Sequence, residues 1–244
     1  MDRFREHFLG RYTENLSDSC TAHHTDTLPE RHGFGQHFTY HEYVADGVVH
    51  GLGVIAALIG SITLILWASG DAPMGHLPPL LVYGIGMVAS FGLSAAYNMT
   101  LHTSARSVLR RFDHAAIFLF IAATYTPIAL IGIGGTTGLA WAALIWTVAL
   151  FGMTLKLFFL CRFERTGFML TLMLGWMGVL MIGPLLASVS LGVLILLVGG
   201  GFLFTIGTLF HLREHWPFNR AIWHVHVLLG AAAHYAAVVM VAWS

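Results

Sequence analysis

From about residue 47 onward the chain alternates long apolar runs with short polar or glycine-rich breaks. The runs fall at about 47–68, 79–100, 114–133, 138–160, 167–187, 189–211 and 221–243. Each is about 20 residues long, the length a helix needs to cross the hydrocarbon core of a bilayer. The segments "GDAPMGHLPP", "GIGGTT" and "CRFERTG" separate some of them, and a shorter break lies near Ser188–Leu191. Gly175, Pro184 and the run Gly199–Gly201 fall inside runs, where small residues let membrane helices approach closely. The pattern predicts an all-α fold, a seven-transmembrane-helix bundle over residues 41–244. Residues 1–40 are polar and carry His23, His24, His32 and His37. They are predicted to form a flexible cytosolic tail with one short amphipathic helix near Phe4–Tyr12.

Composition agrees with this pattern. Of 244 residues, 57% are hydrophobic and 10% charged, whereas a soluble domain carries about 25% charged residues. So few charges cannot cover a water-facing surface, and lipid is the expected solvent and partner. Net charge is zero with histidine neutral, so no nucleic-acid footprint is visible. Cys20 and Cys161 form no disulfide framework. No apolar run precedes about Val48, and a cleavable signal peptide is not expected. The twelve basic residues set the orientation. Arg3, Arg5, Arg11 and Arg31 precede the first run, and Arg106, Arg110 and Arg111 lie between the second and third. Lys156 closes the fourth run and Arg162 and Arg165 lie between the fourth and fifth, with Arg213 and Arg220 between the sixth and seventh. With seven crossings all fall on one side. The positive-inside rule then predicts a cytoplasmic N-terminus and an outside C-terminus.

This topology gathers polar residues at the cytoplasmic end of the bundle. They are Glu42, Asp46 and His50; Ser94, Tyr97, Asn98 and His102; Asp113 and His114; and Arg220, His224 and His226. Ionisable groups at membrane depth are costly and turn inward toward partners. Glu42, Asp46 and His50 step by four and share a helix face, as do Ser94, Asn98 and His102. Arg220 and His224 are also one turn apart. His226 lies on another face, and His234 is nearly three turns deeper than His224; both are expected to make structural hydrogen bonds.

Several segments carry a family likeness: "EYVADGVVHGLG" (Glu42–Gly53), "SAAYN" (Ser94–Asn98) and "RRFDHAAIFLFIAATYTP" (Arg110–Pro127). "LGWMGV" (Leu174–Val179), "GGGFLFTIGTLF" (Gly199–Phe210) and "AIWHVHVLLGAAAHYAAVV" (Ala221–Val239) continue it. Over about residues 40–243 the chain resembles bacterial hemolysin III proteins, of the progestin and adipoQ receptor superfamily. That resemblance implies seven helices, a fold like that of alkaline ceramidases, and a zinc ion at the cytoplasmic end. It implies zinc ligands at the end of a Ser-x-x-x-His motif on helix two and in a His-x-x-x-His motif on helix seven. An aspartate on helix three would hold a zinc-bound water. Three imidazoles leave a fourth position open, and the metal lowers the pKa of its water toward neutrality. A lipid amide would be a suitable substrate.

The carry-over is incomplete. Ser94 matches the motif serine and Asp113 the aspartate, the two positions with catalytic roles by resemblance. The helix-two histidine position is Asn98. On helix seven the first position is Arg220, and His224 is the one retained ligand. A guanidinium cannot coordinate. A unit charge at about 4 Å from a divalent ion costs on the order of 8 kcal/mol at an effective dielectric of about 20. The zinc site is therefore expected to be lost or rebuilt. If lost, Arg220 is expected to pair with Asp113 within a network that includes Asn98 and His224, with Glu42, Asp46 and His50 beside it. If displaced, His102 and His224 with a carboxylate are the expected ligands. Three functions follow: lipid binding or sensing without a metal, a zinc-dependent lipid amide hydrolase, or a pore-forming hemolysin.

Overall fold

A computed structural model describes residues 39–100, 103–160, 163–213 and 215–243. The expectations for the tail and for His102 lie outside these residues. Among the described residues the fold is entirely helical. The elements are α1 (Tyr40–Gly70), α2 (Leu77–Met99) and α3 (Thr103–Pro127), which continues as a π-helical turn (Ile128–Ile133). There follow α4 (Gly135–Phe159), α5 (Glu164–Gly175), α6 (Met177–Leu180), α7 (Ile182–Ser188), α8 (Leu191–His211) and α9 (Asn219–Ala242). Among the described residues, six helices are long and apolar enough to cross a membrane: α1, α2, α3 with its π turn, α4, α8 and α9.

Local chemistry explains the boundaries. Helix α1 begins before its apolar run because Thr39 and Glu42 form a reciprocal capping box, which satisfies backbone N–H groups that a helix start leaves orphaned. Prolines occupy the first turn of α2, where no N–H is needed. Pro127 has no N–H to offer, and the backbone ladder after it widens into the π turn. Gly134 and Gly135 follow with φ of +68° and +58°, left-handed values that glycine adopts without strain. They reverse the chain into α4. Ser190 accepts the backbone N–H of Val193 and starts α8.

The run expected as one span at 167–187 is instead three short helices, interrupted at Trp176 and Met181. Two side chains hold the first interruption. The Tyr125 hydroxyl donates to the Gly175 carbonyl at 2.8 Å and accepts the Gly178 N–H at 2.8 Å. The Trp176 indole donates to Thr205 Oγ1 at 3.1 Å. Backbone groups freed by a break in a membrane helix need such partners, because lipid supplies none.

Helices adjacent in sequence pack together from α1 to α4, α8 packs on α9, and α9 returns to α1. The α3 span is the central one: 56% of its apolar window is buried, against 28–33% for the other five. Its Phe118 and Ile128 are fully buried, alongside Leu64, Leu80, Tyr83 and Ile145. Close packing uses glycines; a methyl on Gly207 of α8 would stand 2.7 Å from His226 Cβ on α9. Outward faces are apolar: Leu52, Ile55, Ile59, Ile62 and Leu66 of α1 are exposed, as lipid-facing residues are.

Contacts fix which helix ends lie together. The Tyr43 hydroxyl on α1 donates to the Met99 carbonyl at the end of α2, and Arg111 on α3 donates to the Leu157 carbonyl near the end of α4. Near the end of α8, the His211 ring meets Trp223 of α9. At the opposite end Trp67 of α1 and Trp243, just past α9, bring their ring centroids within 4.4 Å.

Candidate functional site

Four elements deliver polar groups to one end of the bundle. The first three turns of α1 carry Glu42, Asp46 and His50 on one face, as their spacing dictates. Glu42 Oε1 accepts the backbone N–H of Phe218 at 2.8 Å. Phe218 has a left-handed φ of +56° and precedes α9, so this carboxylate fixes the helix that supplies Arg220 and His224.

Asp46 lies at the centre. Its side chain is 4% exposed, and three groups converge on it. His224 Nδ1 is 2.6 Å from Asp46 Oδ1. His50 Nε2 is 3.7 Å from the same oxygen. Arg220 Nη2 is 3.6 Å from Asp46 Oδ2. The Arg220 guanidinium also donates to Asn98 Oδ1, and the Asn98 amide donates to the Ser94 carbonyl at 2.9 Å. The imidazoles of His50 and His224 meet with centroids 4.2 Å apart. Burial of a carboxylate demands paired charge and hydrogen bonds, and the two faces of Asp46 meet that demand differently, one toward arginine and one toward histidines.

Asp113 takes the Ser94 hydroxyl as a hydrogen-bond donor and lies in the electrostatic field of His224, Arg220 and Arg106. The sequence expectation paired Arg220 with Asp113. The guanidinium forms an ion pair with Asp46, and Asp113 also lies within its electrostatic reach. Arg220 is in the first turn of α9, level with the first turns of α1, which packs beside it.

The other histidines serve elsewhere. His226 is hydrogen-bonded at Nδ1 to the Ile222 carbonyl at 2.8 Å and stacks on Phe210. His234 Nε2 meets the Leu197 carbonyl at 3.1 Å. Arg106 covers the Tyr97 ring at 4.7 Å.

The zinc ligand set implied by the resemblance does not fit these residues. Asn98 offers its carbonyl oxygen to the Arg220 guanidinium, and the guanidinium fills the place of a second ligand. A different grouping is present: Asp46, His50 and His224 each bring one ligand-capable atom within 4.8 Å of the others. The step of four from Asp46 to His50 is a readable signal in the sequence, but their meeting with His224 depends on α9 packing against α1.

A helical bundle with lipid-facing exteriors and one ionic end defines a multi-pass membrane protein. The chain belongs to the haemolysin-III related family, which it matches over residues 38–235. It is 36% identical over 191 residues to Hemolysin-3 of Bacillus cereus, covering 78% of this chain and 87% of that protein. It is 34% identical over 196 residues to the Hemolysin-3 homolog of Bacillus subtilis (strain 168), covering 80% and 92%. A more distant similarity, 26% over 208 residues and covering 82% and 84%, is to the human Monocyte to macrophage differentiation factor.

Proposed function

We propose that this protein is a seven-crossing protein of a bacterial inner membrane that binds or senses a lipid at the ionic end of its bundle. The segmented stretch α5–α7 is the additional crossing. Two contacts support this. A side chain on Gly167, early in α5, would meet Lys156 near the end of α4. Val189, just after α7, stands by Gly132, as does Val241 near the end of α9. The stretch thus begins near one end of the bundle and finishes near the other. Seven crossings put every basic residue on one side, which the positive-inside rule makes cytoplasmic.

The observation that carries the lipid reading is the inward-turned group Asp46, Asn98, Arg220 and His224 in helices whose outer faces are apolar. Ionisable residues held at membrane depth mark sites of function, and a ligand reaching this level needs an apolar tail and a polar head. Ser94 and Asp113, the pair singled out by family resemblance, are the residues proposed to meet that head. The names of the Bacillus relatives record haemolysis; the long helices of this chain, apolar on their outward faces, favour binding over pore formation.

Lipid extraction from the purified protein followed by mass spectrometry tests the reading. A defined lipid class should co-purify, and Ser94→Ala with Asp113→Asn should lower its occupancy about tenfold, or ~1.4 kcal/mol. Bulk membrane lipids in unaltered proportions in both proteins would refute it. A C-terminal reporter active outside, and silent inside, tests the seventh crossing.

A further inference from the structure

His50 presents an unmet valence. Its side chain is 4% exposed, and among the described residues its Nε2 has no hydrogen-bond partner. A buried ring nitrogen without a partner is costly, and here it is turned toward Asp46 Oδ1 at 3.7 Å. His224 Nδ1 reaches the same oxygen from α9 at 2.6 Å. We propose that Asp46, His50 and His224 form a site for one divalent transition-metal ion of the zinc type. This ligand set differs from the one implied by family resemblance, since it draws two of its three groups from the first helix.

The chemistry and the spacing both suit the ion. Imidazole nitrogen and carboxylate oxygen are zinc ligands, and three of them with one open position form an accessible site. Ligands about 2.0–2.2 Å from a tetrahedral ion stand roughly 3.4 Å apart. The observed separations of 2.6 Å and 3.7 Å bracket that value, and all three atoms fall within 4.8 Å of one another. Seating an ion requires the Asp46–His224 pair to open by less than about 1 Å, which a small ring rotation supplies.

Arg220 is the evident objection, because its charge repels a cation. It sits on Asp46 Oδ2, whereas the ion would sit on Oδ1, so the carboxylate lies between the two positive groups. The second amino acid carboxylate, Asp113, lies in the field of both Arg220 and His224.

Metal uptake by the full chain provides the test. The protein is purified in detergent without a polyhistidine tag, stripped with chelator, then dialysed against buffered zinc or cobalt(II). About one ion per chain is expected. Replacement of His50 or His224 by alanine should weaken binding by about tenfold or more, and the ligand-field absorption of the cobalt form should vanish. His226→Ala should bind as the parent does, and so should a variant lacking His23, His24, His32 and His37. Helical circular dichroism and monodisperse elution show which variants are folded. A folded parent that takes up no stoichiometric zinc overturns the proposal. So does uptake that survives the combined replacement of His50 and His224.

Discussion

Two regions of this bundle solve the same problem in different ways. The end built by α1, α2, α3 and α9 concentrates charge: Asp46, Arg220, His224 and Asp113 face one another across helices. The interrupted stretch α5–α7 exposes backbone groups instead, and neutral side chains cover them, Tyr125 at the break and Trp176 beside it. Both regions place polarity where lipid offers no partner. The difference is that a neutral cross-brace is complete in itself, whereas an ionic cluster retains directions in which further groups can bind. His50 Nε2 is one such direction. Elsewhere hydroxyls such as Thr124, Thr147 and Thr154 fold back onto carbonyls of their own helix, while Thr126 does so and also accepts the Trp146 indole N–H from α4 at 3.0 Å.

Substitutions can break this contrast. The largest effect is expected from Arg220→Ala, which strips Asp46 of its arginine and should cost about 3 kcal/mol or more. Asp46→Asn combined with Arg220→Ala should cost less than the sum of the two singles by at least about 1 kcal/mol. Unfolding in detergent with chelator present isolates this ion pair from metal binding, and strict additivity would refute the coupling. Tyr125→Phe comes next, at about 2 kcal/mol, because one lost hydroxyl orphans both the Gly178 N–H and the Gly175 carbonyl. Trp176→Phe removes a single neutral bond to Thr205 and should cost about 1 kcal/mol. An ordering with Trp176 above Tyr125 would mean that the break is held mainly by packing. Neither neutral variant should alter metal uptake or lipid occupancy.

The fold was legible in proportion to its periodicity. Six long apolar helices appear where the runs predict them, with ends shifted by caps such as Thr39–Glu42 that hydropathy does not register. The segmentation of 164–188 was not legible. Gly175 and Pro184 are as compatible with a kinked helix as with a broken one, and the decision rests on Tyr125, 50 residues from the carbonyl it binds. At the candidate site, topology alone gathers Asp46, Asn98, Asp113, Arg220 and His224 at one end. Which carboxylate meets which cation depends on the axial register of α9 against α1, a quantity set by side-chain packing and by the Glu42–Phe218 bond. No short-range pattern encodes it.

That bond has a consequence for how the protein is made. Glu42 and Phe218 are 176 positions apart, and Asp46 and His224 are 178 apart. During synthesis the first helix enters the membrane with its acidic face uncovered and waits for nearly the whole chain to follow. Only the last helix brings the arginine and the histidine that close it. A chain truncated before that helix therefore leaves Asp46 at membrane depth without the two partners that offset its burial.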